Sequence, residues 1–438
     1  MDSLPVRYVA LCCVTVLIGW FLHWVYKWMN PPCKGKLPPG SMGVPIIGET
    51  FQFLKISPSI DIPNFYQQRL KRYGPMFKTN LLGHPAMVSM DPELNRFIFQ
   101  QEGKLFQMWF PGAGISMFGK EAIGSLGATH KFIRSFAAKL FGPENIREVL
   151  MREVEDAMRQ SFEAWAAKPS VELKKNIAEM IFDMVAKKMI GMDPAESREL
   201  KKNFDKFAQG LFSFPIYFPG TTFYDCMMAR RNLRRKLTEL LKDRLSTPGK
   251  KHGELLDLLV DELRSEKPQI NENVAIDALV AILYASFGTT TPALTIEEHE
   301  KILEKREDRN SGFTWEEYKS LTFTTQVINE ITRISNVAAG IFRKTMKDVQ
   351  VNGYTIPAGW WTTQNEMKQI TQKRNFMPFG GGIRLCLGAD FTKLFMSLFL
   401  HVLVTKYRWK EIKGGEVVRL AEMPIPQEYH IQLVPATK

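Results

Sequence analysis

The ten residues Phe379-Gly380-Gly381-Gly382-Ile383-Arg384-Leu385-Cys386-Leu387-Gly388 constrain this chain more than any other stretch. They set one cysteine in a glycine-rich loop, with a cation two positions before it and an aromatic ring seven before it. Cysteine ligates metal as its thiolate, which persists where backbone N–H groups, a helix N-terminus or a cation stabilise the anion. Three successive glycines let the backbone fold tightly enough to turn several N–H groups toward one sulfur. The run from Ala389 to Leu400 is strongly helical, and its positive end would lie beside the same sulfur.

The loop resembles the haem-binding signature of the cytochrome P-450 superfamily, Phe-x-x-Gly-x-Arg-x-Cys-x-Gly, at all five fixed positions. The resemblance implies that Cys386 is the proximal iron ligand, that Arg384 pairs with a haem propionate, that Phe379 packs near the sulfur, and that Gly388 belongs to the cofactor-binding residues. A glycine-rich helix entry around a buried structural cysteine is the alternative. Five matches at fixed spacing favour haem.

Length and composition allow one large α-rich domain: 438 residues, 45% of them apolar. The five cysteines are scattered and form no Cys-x-x-Cys pair, which argues against a disulfide framework or a zinc site. A net charge of +12 suits a membrane surface or an acidic protein partner. No nucleic-acid motif accompanies it.

Tyr8 to Tyr26 is a run of 19 residues without Asp, Glu, Lys or Arg, long enough to cross a bilayer. Lys27, Lys34 and Lys36 follow it against Arg7 before it, so the positive-inside rule places the C-terminal bulk in the cytosol. A cleaved signal peptide would need small residues where Trp24, Tyr26 and Trp28 stand. Asn30-Pro31-Pro32 and Leu37-Pro38-Pro39-Gly40 then predict a stiff, extended connection, similar to the hinge of microsomal P-450s. The expected division is an anchor over 1–29, a hinge over 30–49 and a haem domain over 50–438, mainly α with small β-sheets.

Strand-like pieces fall at Pro75 to Asn80 and Ala86 to Met90 among amphipathic helices. His130 and Arg134 share one helix face, and the resemblance aims both at a propionate. The apolar stretch Gly210 to Gly220, with two prolines, reads as a loop: either a channel lid dipping toward lipid or a buried connection. Arg230, Arg231, Arg234, Arg235, Lys236, Lys242 and Arg244 read as the solvated face of a basic helix.

Asp277 to Thr290 reads as a long buried helix ending in small and hydroxyl residues. In the family it resembles, the helix over the distal haem face carries Ala/Gly-Gly-x-Asp/Glu-Thr-Thr/Ser. The resemblance assigns Ala285 to the haem pocket and Thr289 and Thr290 to oxygen and proton handling. Ser286 replaces the second small residue, Gly288 stands where the acid belongs, and Pro292 removes an N–H from the next turn. Gly and Pro together disfavour continuous helix by about 4 kcal/mol relative to Ala, and a missing acid removes a step typically worth about 10²–10⁴-fold in rate.

Glu330 and Arg333 resemble the Glu-x-x-Arg helix that supports the haem pocket. Arg343 is a candidate third propionate partner, in a segment that resembles the strands lining the substrate site. The chain reads as internally shortened: between Trp361 and Phe376 stand only 14 residues, where relatives carry a segment whose Arg completes the Glu330–Arg333 network. Arg374 is the one Arg in that gap. A buried Glu–Arg pair without its third member is a stability risk.

The resemblance thus implies a haem-thiolate monooxygenase on the endoplasmic reticulum membrane, hydroxylating a lipophilic substrate of the sterol, brassinosteroid or triterpenoid class. Electrons would come from an NADPH-dependent cytochrome reductase. The rival reading is a catalytically impaired or inactive member, on the evidence of Gly288, Pro292 and the short link.

Overall fold

The computed structural model describes residues 4–56, 63–109, 117–119, 127–210, 213, 216–247, 254–287, 311–335, 342–364, 376–420, 423–426 and 428–436. The chain forms two compact units interleaved in sequence, one of residues 1–109, 338–376 and 419–422, the other of 110–337, 377–418 and 423–438.

The first unit begins with helix α1 (Leu4–Met29). At a rise of about 1.5 Å per residue it is roughly 39 Å long, enough to cross a hydrocarbon core of about 30 Å. Its apolar window, Leu11–Met29, is entirely unburied. Pro31 and Pro32 stop it, and the proline-rich connection then docks on strands: Lys36 O accepts the Thr355 N–H at 2.7 Å and Pro39 O the Lys78 N–H at 2.7 Å. Stiffness here comes from sheet pairing as well as from fixed φ.

Strands β1 (Met76–Leu81) and β2 (His84–Ser89) form the expected pair, an antiparallel hairpin with Met76 opposite Ser89. Its turn residues Leu82 and Gly83 both have positive φ, +53° and +79°, the twist a two-residue hairpin needs. The Leu82 N–H is held by Thr50 Oγ1 at 2.8 Å. Strands β3 (Phe106–Met108), β4 (Arg343–Thr345) and β5 (Trp361–Gln364) complete a five-stranded sheet in the order β1-β2-β5-β4-β3.

The second unit is built from helices α2 (Gly127–Phe141), α3 (Met151–Ala166), α4 (Leu173–Ile190), α5 (Pro194–Gly210), α6 (Thr222–Ser246), α7 (Glu272–Phe287), α8 (Thr322–Ser335) and α9 (Ala389–Lys406). From Leu394 to Val404 every residue of α9 is buried, the mark of a helix enclosed on all sides. Phe399 packs on Phe162 of α3 and Phe391 on Phe141 of α2, with ring centroids 5.0 and 5.1 Å apart. Such aromatic packing fixes the helix that leaves the cysteine loop.

Two sequence expectations change. In the Gly210 to Gly220 stretch, the described residues Ile216, Tyr217 and Phe218 are each about three-fifths exposed or more (59, 63 and 67%), so this part is no buried connection. The basic helix α6 is not simply solvated: Arg234 and Arg230 pair with Asp277 of α7, and Arg244 reaches Glu254 at 2.7 Å and Asp257 at 3.2 Å. Charge runs hide such inward members because their acidic partners lie on other elements.

Candidate functional site

The glycines build the cysteine loop. Gly380 and Gly382 take φ of +76° and +63°, where a Cβ clashes with the backbone, while Gly381 is extended. Gly382–Arg384 makes one 3₁₀ turn, closed by the Leu385 N–H on Gly382 O at 3.1 Å. The Cys386 N–H on Phe379 O, at 3.0 Å, ties the two ends of the loop together. Gly388 caps α9, and its backbone N–H acts on the Cys386 thiol in favour of the thiolate. A Cβ on Gly388 would meet that sulfur at an ordinary 3.8 Å, so contact with the sulfur does not by itself require glycine at this position.

Cys386 keeps accessible surface, yet the protein crowded around its sulfur raises the thiol pKa above its ordinary value. The Gly388 N–H and the Arg134 guanidinium pull the other way. Arg134 is positioned by α2, from which its Nη1 donates to Leu385 O at 2.8 Å. His130, one turn earlier, is buried. Arg384 is half-buried on the 3₁₀ turn. Phe379 is half-buried beneath Lys393, whose Nζ lies 5.7 Å from the ring centroid. Lys393 was not singled out from the sequence; its place one turn into α9, seven residues after Cys386, was the available signal.

Ala285 is exposed on α7. Thr289, Thr290, Gly288 and Pro292 lie outside the described residues, as does Arg374. Arg333 grips Glu330 through two nitrogens, Nε at 2.7 Å, and holds the carboxyl below its usual pKa. Glu330 is 54% exposed. The buried pair expected from the sequence is therefore a partly solvated one, and the desolvation risk attached to it falls away.

Arg343, in the first unit, is buried on β4. Its Nε bonds Glu102 Oε2 at 3.1 Å, while Glu102 Oε1 accepts the Met108 N–H at 2.7 Å. Sequence reasoning missed Glu102, for nothing local marks an acid 241 residues away from its partner.

Among the described residues no three His, Cys, Asp or Glu side chains converge to cage a metal. A metal on Cys386 would therefore find no three-residue protein cage among the described residues, and a cofactor could bring the other donors. A porphyrin brings such nitrogens. The accessible sulfur, with an N–H and a cation beside it, fits haem.

The family model for cytochrome P450 matches residues 38–361 and 360–430. Its two pieces meet immediately ahead of the short link from Trp361 to Phe376. Cytochrome P450 87A3 of Oryza sativa subsp. japonica is 43% identical, covering 98% of this chain and 92% of that protein. That comparison runs over 472 positions against a chain of 438 residues, so at least 34 positions have no counterpart here. The β-amyrin 16-alpha-hydroxylase of Maesa lanceolata is 37% identical, covering 98% of this chain and 99% of that protein. A solved structure, the retinoic acid bound cyanobacterial CYP120A1, superposes with a TM-score of 0.77 at 24% identity, over 92% of this chain and 100% of that one.

Proposed function

The chain belongs to the cytochrome P450 family, and we propose that this haem-dependent monooxygenase hydroxylates a sterol or triterpenoid at the endoplasmic reticulum membrane. The observation that carries the site is the Cys386 sulfur, accessible at the start of the buried helix α9 with the Gly388 N–H and the Arg134 guanidinium near it, both favouring its anion. Similarity to a β-amyrin hydroxylase over 98% of the chain supports the substrate class. The family match extends on both sides of the shortened link and favours the working enzyme over the impaired one.

Haem held by a cysteine thiolate supplies activation of dioxygen with electrons delivered one at a time. The chain's own residues do the rest. Cys386 holds the iron, while the Gly388 N–H and Arg134 stabilise the sulfur anion and so set its basicity. Arg384, His130, Arg134 and Arg343 are the proposed propionate partners, with Phe379 packed beside the sulfur. Ala285 leaves room for oxygen, and Thr289 with Thr290 hold protons for delivery in the absence of an acid at Gly288. Glu330 and Arg333 support the pocket wall.

The electron donor is an NADPH-dependent cytochrome reductase. Lys131 and Lys139 are exposed on α2, the helix that carries Arg134 to the cysteine loop, and they would steer an acidic partner in a salt-sensitive manner. Helix α1, with Lys27, Lys34 and Lys36 after it, anchors the enzyme with its catalytic body in the cytosol.

The test is the absorption spectrum of the purified, reduced protein under carbon monoxide. The parent should give the red-shifted Soret band of thiolate ligation, and Cys386→Ala should lose it. A variant that retained the band would overturn the assignment of Cys386.

A further inference from the structure

Helix α7 is buried on every side from Val274 to Val280 and then opens. Ala281, Tyr284 and Ala285 lie at i, i+3 and i+4, so they share one face. Ala281 and Tyr284 are half-buried there and Ala285 is exposed. Tyr284 therefore borders the same open surface as Ala285.

The Tyr284 ring is enclosed by three phenylalanines. Its centroid lies 5.6 Å from Phe118, 5.6 Å from Phe207 and 5.7 Å from Phe287, the last two edge to face. This wall is held in place. Arg230 Nε donates to Met117 O at 2.7 Å, and Gly119 lies so close to the Asp277 carboxylate that a side chain at that position would overlap it. Arg234 and Arg230 in turn pair with Asp277.

For packing among these rings a phenylalanine would serve as well as a tyrosine, and Tyr284 differs from its neighbours only by a hydroxyl. Enclosed tyrosines ordinarily give that hydroxyl a partner. Tyr284 makes no hydrogen bond among the described residues. The nearby thiol of Cys226 is already committed to Phe207 O at 3.3 Å. Burial pushes the phenol up to about 12, so it remains a neutral donor at physiological pH.

We propose that the Tyr284 hydroxyl recognises the single polar oxygen, hydroxyl or carbonyl, of an otherwise apolar polycyclic substrate, and so determines which substrates the site accepts. This rests on the reading of the site as a sterol or triterpenoid hydroxylase. The cage around the ring is aromatic, and the guanidiniums of Arg230 and Arg234 are turned to Asp277, which suits a neutral oxygen rather than a carboxylate.

The test is spectral titration of the full-length, haem-loaded protein with matched pairs: β-amyrin against its 3-deoxy hydrocarbon, and cholesterol against its 3-deoxy hydrocarbon. One hydrogen bond to an enclosed donor should favour the alcohol by about 10-fold. Tyr284→Phe should reduce that preference to about 2-fold or less, with affinity for the hydrocarbon and the carbon monoxide spectrum unchanged. A variant that kept the full preference would overturn the role of Tyr284 while leaving the substrate class standing. If no pair bound a parent with a normal thiolate spectrum, the substrate reading and the proposal built on it would fall together.

Discussion

Glu102 and Arg343 form an ion pair at 3.1 Å between side chains that are each 1% exposed. Both oxygens of Glu102 are used, one by Arg343 and one by the Met108 N–H, and the Arg343 guanidinium also stands 5.0 Å over the Phe99 ring. The pair is satisfied as a unit, and removal of one member would strand a buried charge. Glu102→Leu should therefore cost about 3–5 kcal/mol of stability, while Glu102→Leu combined with Arg343→Leu should recover most of it. Urea unfolding followed by tryptophan fluorescence measures both. Haem content separates the roles of Arg343: if it serves a propionate as proposed, the double variant folds yet holds haem less firmly than the parent.

The three glycines of the cysteine loop should not respond alike to substitution. Gly380 and Gly382 lie in the left-handed region and Gly381 does not. Alanine at either of the first two should cost about 1–2 kcal/mol of backbone strain, delivered to the loop that presents Cys386, and should lower haem occupancy. Gly381→Ala should leave occupancy near that of the parent. Equal losses at all three positions, read from the ratio of haem to protein absorbance, would contradict this account of the loop.

What could be read from the sequence was local. The cysteine loop spans ten residues whose types and spacing carry their own chemistry, and the apolar run of α1 needs only length and composition. The β1–β2 hairpin followed from two strand-like pieces, although its turn uses Leu82 at positive φ, a residue that no turn rule favours. Relationships across the chain were hidden. Arg343 was found as a cation and Glu102 was not found at all, because their pairing exists only once β4 lies beside β3. Glu330 and Arg333 were recognised as a pair but expected to be buried. Glu330 lies two residues, about 200° of helical turn, beyond the buried Ile328, which places it on the opposite face of α8. Arg230 and Arg234 were assigned to solvent because Asp277 belongs to a different helix.

In the first unit, His84 stacks on Trp361 with ring centroids 4.2 Å apart and meets the edge of Trp109 at 5.7 Å. Partial burial against these rings, and then the charge of Lys344, lower its pKa from 6.5. The folded state thus resists the proton more than the unfolded chain does. The contribution of His84 to stability is fully present above the unfolded value of 6.5 and is lost as pH falls through it toward the lowered folded value. Between about pH 7.5 and about pH 5.5 the parent's melting temperature should fall more steeply than that of His84→Phe, which keeps an aromatic ring on Trp361 without a titrating nitrogen. The two slopes should converge at the alkaline end of the range. Parallel curves throughout would remove His84 from the acid sensitivity of the fold and leave its stacking on Trp361 as packing alone.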